Sequence, residues 1–412
     1  MKQSLLFTKT IKETPKDETS YNAQTLMRAG FIDKVGAGIY TFLPLGLKVL
    51  NKINDIIREE MNAIGGQEIL MPALTPKEVW QATDRWDNFD ALFKLSGSDD
   101  KDYALGATHE EIVTPLAKRY TFSYKDLPFS VYQIQTKFRN EKRAKAGLIR
   151  GREFLMKDLY SFHTTQEDLD NYYEKVKQAY FKIYRRLGLG DITHLTYSSG
   201  GAFSKYSHEF QTITEVGEDT IYFCPKCKVA VNKEIISEQN ACPECQNTSL
   251  EEKRAVEVGN IFKLGSKFSK AISFSVKSED GKESDILMCS YGIGPSRVMG
   301  TIVEVYHDDK GMVWPKDLAP FSVHLISLKQ NEEAEKIYQD LTSQNIEVLY
   351  DDRDDIAPGE KFADADLIGC PYRLVLSSKT LENKKVELKA RNSDEIKLVD
   401  INKISEYIKD LD

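Results

Sequence analysis

FRNEKRAKAGLIRGREFLMKD, residues 138–158, holds seven Lys or Arg against three acids, inside a 412-residue chain with a formal net charge of −8. Positive charge gathered in an acidic chain is either a solvated face or a pocket for anions, because phosphates respond to nearby potential more than to total charge. The flanks give the stretch its shape. PFSVYQIQTKF before it and REFLMKDLYSFH after Gly151 predict two strands, so the basic segment is a hairpin with a long charged loop. Arg139 and Glu141 alternate onto one face of the first strand, and Arg150 and Arg152 stand on the return. A guanidinium holds phosphate through a planar fork of donors, and a strand is a rigid platform for it. Arg–Glu ladders across hairpins are also ordinary structure, so these residues alone leave both readings open.

Three further segments bear on the choice. In SYGIGPSRVMG, Gly292 and Gly294 permit a tight turn and Pro295 marks a helix start, which puts Arg297 in a first turn where backbone N–H groups favour anions. GxxxxGK[ST] is absent, so this is no Walker loop. In GATHEEIVTP, Thr108 and Glu110 point the same way if extended, a hydroxyl and a carboxylate suited to an ammonium group; Val113 excludes an HExxH zinc site. Residues 45–64 place Leu47, Leu50, Ile53, Ile57, Met61 and Ile64 three or four apart, one apolar helix face that serves either a core or a dimer interface. QEILMPAL follows as a short strand.

The periodicity of Leu169, Tyr172, Tyr173, Val176, Tyr180, Ile183 and Leu187 predicts a core-facing helix opened by Thr165 and Asp168 as a capping box. Beyond LAPFS (318–322), strands and helices alternate through SVHLISL, 331–343, IEVLYDD, 359–368, YRLVLSS and KKVELKA to a final helix, a compact α/β domain of about 90 residues.

Taken together, these strings resemble class II aminoacyl-tRNA synthetases: the helix and strand from Leu45 to Pro72 motif 1, FRNE with its arginines motif 2, and GIGPSR motif 3. Within that class RAGFIDKVGAGIYTFLPLG, GATHEE, YQIQTKFRNE, GREFLMKDLYSFH, SHEFQ, EVGNIF and YGIGPSR, in that order, resemble the bacterial-type prolyl-tRNA synthetases, and VLYDDRDDIAPGEKFADADLIGCP resembles their anticodon-binding domain. The resemblance implies an α+β catalytic domain, an antiparallel sheet flanked by helices, followed by an α/β anticodon-binding domain. It implies substrates ATP, with Mg2+, L-proline and tRNA(Pro), and a homodimer.

On the matching positions it assigns Arg139 to the α-phosphate and prolyl carboxylate, Arg297 to the γ-phosphate, and Glu141, Arg150, Arg152 and Gln211 to ATP, with Arg150 and Arg152 competing for one contact. Thr108, Glu110, Arg139 and His208 would receive proline, and Glu209 would be a magnesium ligand. Asp351, Asp352, Arg353 and Lys361 either read anticodon bases or form a solvated loop. The rival readings are a class II synthetase for another amino acid and an inactive tRNA-binding relative; the prolyl-type strings oppose the first, and the retained arginines and C-terminal domain oppose the second.

One departure stands out. Bacterial-type members carry a large editing insertion between motifs 2 and 3, whereas here about 40 residues join SHEFQ to EVGNIF, too few for such a domain. A separate trans-editing protein would have to supply that activity. In its place stand Cys224-x2-Cys227 and Cys242-x2-Cys245, zinc-ribbon spacing for a structural Zn2+, with contact to the tRNA acceptor as the lesser alternative. The expected division is 1–220 and 255–318 catalytic, 221–254 zinc-ribbon-like, and 319–412 anticodon-binding. Cys289 and Cys370 are read as buried core. With no signal-peptide core and no membrane-length apolar run, the expected location is the cytoplasm.

Overall fold

A computed structural model describes residues 1–200, 205–277 and 281–411, which divide into two compact units: Met1–Val35 with Tyr40–Lys52 and Ile302–Asp412, and Gly36–Ile39 with Ile53–Thr301. Helix α1 (Pro44–Ala63) buries Leu50, Ile53, Ile57, Met61 and Ile64 and leaves Leu47 exposed, so its apolar stripe is mostly core.

The larger unit is built on one sheet. Its strands in chain order are β1 (Gly66–Glu68), β2 (Phe129–Phe138), β3 (Glu153–His163), β4 (Thr193–Ser199), β5 (Tyr206–Ile213), β6 (Asp219–Phe223), β7 (Ala230–Asn232), β8 (Glu251–Gly265) and β9 (Leu287–Ile293). The spatial order is β5-β4-β7-β6-β8-β9-β3-β2-β1, and β5 pairs again with β8, so β4 to β8 close into a ring. The segment expected as the strand QEILMPAL is divided: Gly66–Glu68 pairs parallel to β2, and Leu74 opens a separate short strand, Leu74–Pro76, antiparallel to Asp102–Leu105. Beyond Glu68 the chain leaves the sheet edge at Pro72, which has no N–H to donate.

Register sets the two faces. Glu209, Asn260, Gly292, Asp158 and Gln133 are paired in one row across β5, β8, β9, β3 and β2. The next row, His208, Ile261, Tyr291, Leu159 and Tyr132, points to the opposite face because side chains alternate along a strand. Helix α2 (Glu110–Tyr120) follows the GATHEE loop. Helix α3 (Gln166–Arg186) covers the His208 face: Tyr173 meets His208, and Tyr180 and Tyr184 pack on Phe210. Thr165 caps this helix by accepting from the Asp168 N–H at 3.2 Å, and Leu169, Tyr173, Val176, Tyr180, Ile183 and Leu187 are buried as the spacing predicts. Helix α4 (Pro295–Val305) begins where Pro295 pre-sets the backbone.

In the other unit, β10 (Val323–Ser327), helix α5 (Asn331–Ser343), β11 (Val348–Asp351), helix α6 (Pro358–Ile368), β12 (Tyr372–Leu376), β13 (Lys385–Ala390), β14 (Ile396–Asp400) and helix α7 (Ile404–Leu411) form the expected α/β domain, with sheet order β11-β10-β12-β13-β14. Residues before α1 join it: Tyr350 N–H donates to the Met1 carbonyl, and Ser4 and Thr10 bond Asp352 and Asp364. Among the described residues no helix is long and apolar enough to cross a membrane.

Candidate active site

The two arginines at the ends of separate strands and helices meet in one cavity of about 140 Å³, lined by Arg139, Glu141, Ile149, Arg150, Glu218, Asp219, Val256, Glu257 and Arg297. Arg139 follows β2 with the same parity as Gln133 and Lys137, so it stands over the Glu209–Asp158 face and stacks on Phe154 at 5.2 Å. Among the described residues its Nε–H has no hydrogen-bond partner, and burial together with the neighbouring Arg297 pulls its pKa below the usual arginine value. Arg297 Nη1 donates to the Glu257 carbonyl at 2.7 Å and lies 3.2 Å from Glu257 Oε2, while its Nε holds the Ile149 carbonyl at 2.8 Å. Two guanidinium groups held close, one of them short of an acceptor, form a site that an anion would relieve.

The choice between Arg150 and Arg152 is visible in their partners. Arg150 lines the cavity and bonds Glu141 and Glu218 at 3.2 and 3.1 Å. Arg152 spends its guanidinium on the carbonyls of Glu141 and Ala37, outside that lining.

Beside the arginines lies the GATHEE loop. Thr108 Oγ1 donates to Glu110 Oε2 at 2.5 Å, bringing together the hydroxyl and carboxylate that the sequence pairs. Burial with a fixed network holds the loop: Lys137 Nζ donates to His109 Nδ1 (2.8 Å), so Nε2 carries the proton it gives to the Pro72 carbonyl (3.0 Å). Lys137 is also 2.9 Å from Asp158, and Tyr160 donates to Asp158 while accepting from the His109 N–H. Burial lowers the pKa of both His109 and Lys137. Arg85 bridges Glu110 (3.2 Å) and Glu111 (2.9 Å), and burial raises the Glu111 carboxyl to about 7.

Glu209 and Gln211 stand on the same face. Gln211 Nε2 donates to Glu209 and to Asp219 at 2.8 and 2.9 Å, Glu209 also accepts from Asn232, and Ser198 Oγ lies 2.9 Å from its other oxygen. Burial first, and then the Glu257 charge, push Glu209 up to about 8. His208 is a correction to the sequence reading. One residue from Glu209, it hangs on the α3 face, where Nδ1 meets Tyr173 Oη at 2.8 Å and the ring lies 4.6 Å from that of Tyr197. Burial lowers it to about 4.

Arg85, Lys137, Asp158 and Glu257 were not singled out from the sequence. Glu257 opens EVGNIF and had a signal there; Arg85 had none, because its partners lie 25 and 26 residues away.

The four cysteines converge, with all four sulfurs within 4.8 Å of one another and Cys224 and Cys245 Sγ 3.8 Å apart. A tetrahedron with metal–sulfur bonds of about 2.3 Å has edges of about 3.8 Å, so the donor set fits a tetrathiolate ion. Both knuckles turn alike: Lys228 and Gln246, each following its second cysteine, adopt φ of 60° and 59°. Cys289 and Cys370 are buried as expected.

The C-terminal candidates separate. Asp351 is fully buried and receives two bonds from Arg353, at 2.8 and 2.7 Å; Arg353 also reaches Asp364 at 2.9 Å. Lys361 is buried and donates to the Ser327 carbonyl, whereas Asp352 is partly exposed and accepts from Ser4. Asp351, Arg353 and Lys361 thus form an internal network rather than an open reading edge.

The tRNA synthetase class II core domain (G, H, P, S and T) family matches residues 93–306, and the anticodon-binding domain family matches 320–411. A proline–tRNA ligase of Wolbachia sp. subsp. Drosophila simulans (strain wRi) is 40% identical over 417 residues, 97% of this chain and 98% of that one. That of Agrobacterium fabrum is 38% identical over 437, also 97% and 98%, and that of Bacillus cytotoxicus 34% over 567, covering 100% of both. A crystal structure of prolyl-tRNA synthetase from Cryptosporidium parvum with L-proline and AMP superposes with a TM-score of 0.77 at 19% identity, covering 98% of this chain and 77% of that one. With this full-length identity and both domain matches, the chain belongs to the proline–tRNA ligase family of class II aminoacyl-tRNA synthetases.

Proposed function

We propose that the chain activates L-proline with ATP and transfers the prolyl group to the 3′ end of tRNA(Pro). The observation that carries this reading is the pair Arg139 and Arg297 over one cavity, with the Arg139 Nε–H unpartnered among the described residues, next to the Thr108–Glu110 pair. In the first step a proline carboxylate oxygen attacks the α-phosphorus of ATP, and the bond to the bridging oxygen breaks so that pyrophosphate leaves with the electron pair. The nucleophile arrives ionised and needs no general base, so alignment and cationic charge do the catalysis. Arg139 holds the α-phosphate and the carboxylate, and Arg297 the γ-phosphate. Glu141, Arg150 and Gln211 position the nucleotide. Glu110, oriented by Thr108 and Arg85, takes the imino group. In the second step a ribose hydroxyl of the tRNA attacks the acyl carbon and AMP leaves.

Mg2+ would accompany the ATP phosphates as a charge-neutralising cation, and Glu209, whose carboxyl burial pushes up to about 8, would be the residue to hold it. The four cysteines would hold a structural Zn2+. Asp352 and the neighbouring charged loop are the anticodon-facing part of the C-terminal domain. Leu70 and Leu74, after α1 and 77% and 47% exposed, favour a homodimer that covers them, in the cytoplasm. Residues 214–250, wholly occupied by β6, β7 and the cysteine loops, leave no room for an editing domain, so alanyl-tRNA(Pro) incubated with this chain should stay intact unless a trans-editing protein is added.

The test is ATP–pyrophosphate exchange with proline, alanine, cysteine, threonine and glycine in parallel. Proline should give the strongest exchange, and Arg139→Ala, still folded, should lose about 10³-fold or more. Near-normal exchange by that variant, or a stronger response to another amino acid, would overturn the assignment.

A further inference from the structure

The metal-held insert contributes side chains to the ring that carries Glu209 and Gln211. Cys224 follows β6 and Cys227 precedes β7, while Cys242 and Cys245 lie between β7 and β8, so one tetrathiolate centre would fix both ends of the insert. Three of its residues reach into the sheet. Asn232, the last residue of β7, donates from Nδ2 to Glu209 Oε2 at 3.2 Å. Glu234 accepts from the Ser199 N–H at 2.7 Å and from Ser198 Oγ, the same hydroxyl that lies 2.9 Å from Glu209 Oε1. Glu244, inside the second knuckle, accepts from Tyr197 Oη at 2.5 Å and so ties that knuckle to β4.

Each contact bears on where the Glu209 carboxyl sits. Ser198 and Asn232 hold one oxygen apiece, and both depend on the insert: Asn232 directly, Ser198 through Glu234. Glu209 in turn accepts from Gln211, whose amide also bonds Asp219 at the cavity wall. Asn232 is carried to this place by two pairings of β7, with β6 (Asn232 opposite Ile221) and with β4 (Ala230–Val231 against Thr196–Tyr197), and the cysteine turns flank both.

We infer that the cysteine-held insert is a positioning device for nucleotide use: Asn232 and Glu234 set Glu209 and Gln211 for the ATP phosphates and their cation, and proline recognition at Thr108 and Glu110 does not depend on them. This rests on the proposed function for the ATP side of the site. Residues that orient a ligand-bearing carboxylate are worth about 10–100-fold in affinity or activity.

The experiment uses the full-length, metal-loaded protein and the variants Asn232→Leu and Glu234→Met, the second of which removes the oxygen that accepts from Ser198 and Ser199. Leucine keeps the branched shape of Asn232 and removes both the donor to Glu209 and the oxygen that accepts from the Glu234 N–H, and it leaves all four cysteines in place. ATP and Mg2+ titrations of pyrophosphate exchange should show the KM for ATP and the Mg2+ requirement rising about tenfold, with the KM for proline within about twofold. Calorimetric titration with Mg2+ and a non-hydrolysable ATP analogue should show the same loss of affinity without any turnover. Metal analysis of each variant should equal that of the wild type. An unchanged KM for ATP with metal retained would overturn the inference, as would a parallel rise in both KM values or loss of the metal, since each would make the insert a scaffold only. Failure of the wild type to exchange with proline would instead sink the proposed function, and the calorimetric comparison would still decide the role of Asn232.

Discussion

Glu111 is the side chain whose ionisation the fold disturbs in the most readable way. Its Oε1 accepts from Arg85 at 2.9 Å and Thr83 at 2.8 Å, its Oε2 has no partner among the described residues, and burial raises it to about 7 from an ordinary value near 4.5. The folded pKa lies above the unfolded one. The stability this group contributes is therefore complete below about 4.5 and is lost as pH rises through about 7. Glu111→Gln removes that titration. Denaturation midpoints of wild type and variant, followed from pH 5 to 8, should diverge in the variant's favour as pH rises; a constant difference would show that Glu111 does not titrate in this window. At this scale the sequence was legible where a residue type carries its own chemistry. Arg139, Glu141, Arg150 and Arg297 gather about one cavity because guanidinium groups on a strand and at a helix start have few other uses there. It was illegible where a single step of strand register decides the matter. His208 and Glu209 are neighbours, and only the ladder to Asn260 and Ile261 tells which faces the cavity. Asp351 and Lys361 misled in another way: a mixed-charge segment reads as an open loop, but opposite charges that satisfy one another can be buried.

Among the elements, those with strong periodicity or end signals lie close to where the sequence puts them. The helix expected over 45–64 is Pro44–Ala63, the hairpin strands are Phe129–Phe138 and Glu153–His163, and Thr165 caps its helix. The closed ring was beyond sequence reasoning. It needs an irregularity between Phe210 and Gln211, a two-residue parallel pairing at β7, and a turn that lets β5 and β6 flank Ala255 of β8. That turn depends on Gly217. A Cβ there would sit 2.3–2.4 Å from the backbone N, C and O of Ala255, where no side-chain motion can make room. Gly217→Ala should therefore cost about 3 kcal/mol of stability, the upper part of the overpacking range. The denaturation midpoint measures this, and a loss under about 1 kcal/mol would mean that the β5–β6 turn can shift without opening the ring.

At the scale of the whole chain, the residues assigned to amino-acid activation fall within one compact unit, and the anticodon-binding domain falls in the other. The second unit is not a simple C-terminal module, because residues 1–35 and 40–52 belong to it. Asp364 on α6 joins the two stretches: Oδ1 accepts from Thr10 Oγ1 at 2.6 Å and Oδ2 from Arg353 at 2.9 Å, and Arg353 in turn grips buried Asp351. Asp364→Asn removes a charge from a network of two aspartates, one arginine and Lys361, leaving the two cations facing Asp351 alone. Breaking one partner out of a buried ionic set costs more than the pair is worth in water, about 3 kcal/mol. The loss belongs to the unit that would hold tRNA, so the expected phenotype is divided. The unfolding midpoint and the rate of tRNA(Pro) charging should fall, and proline-dependent ATP–pyrophosphate exchange, which needs no tRNA, should stay within about twofold of wild type. If exchange fell as far as charging, the activation chemistry would depend on this network, and confining the role of Asp364 to tRNA handling would be wrong.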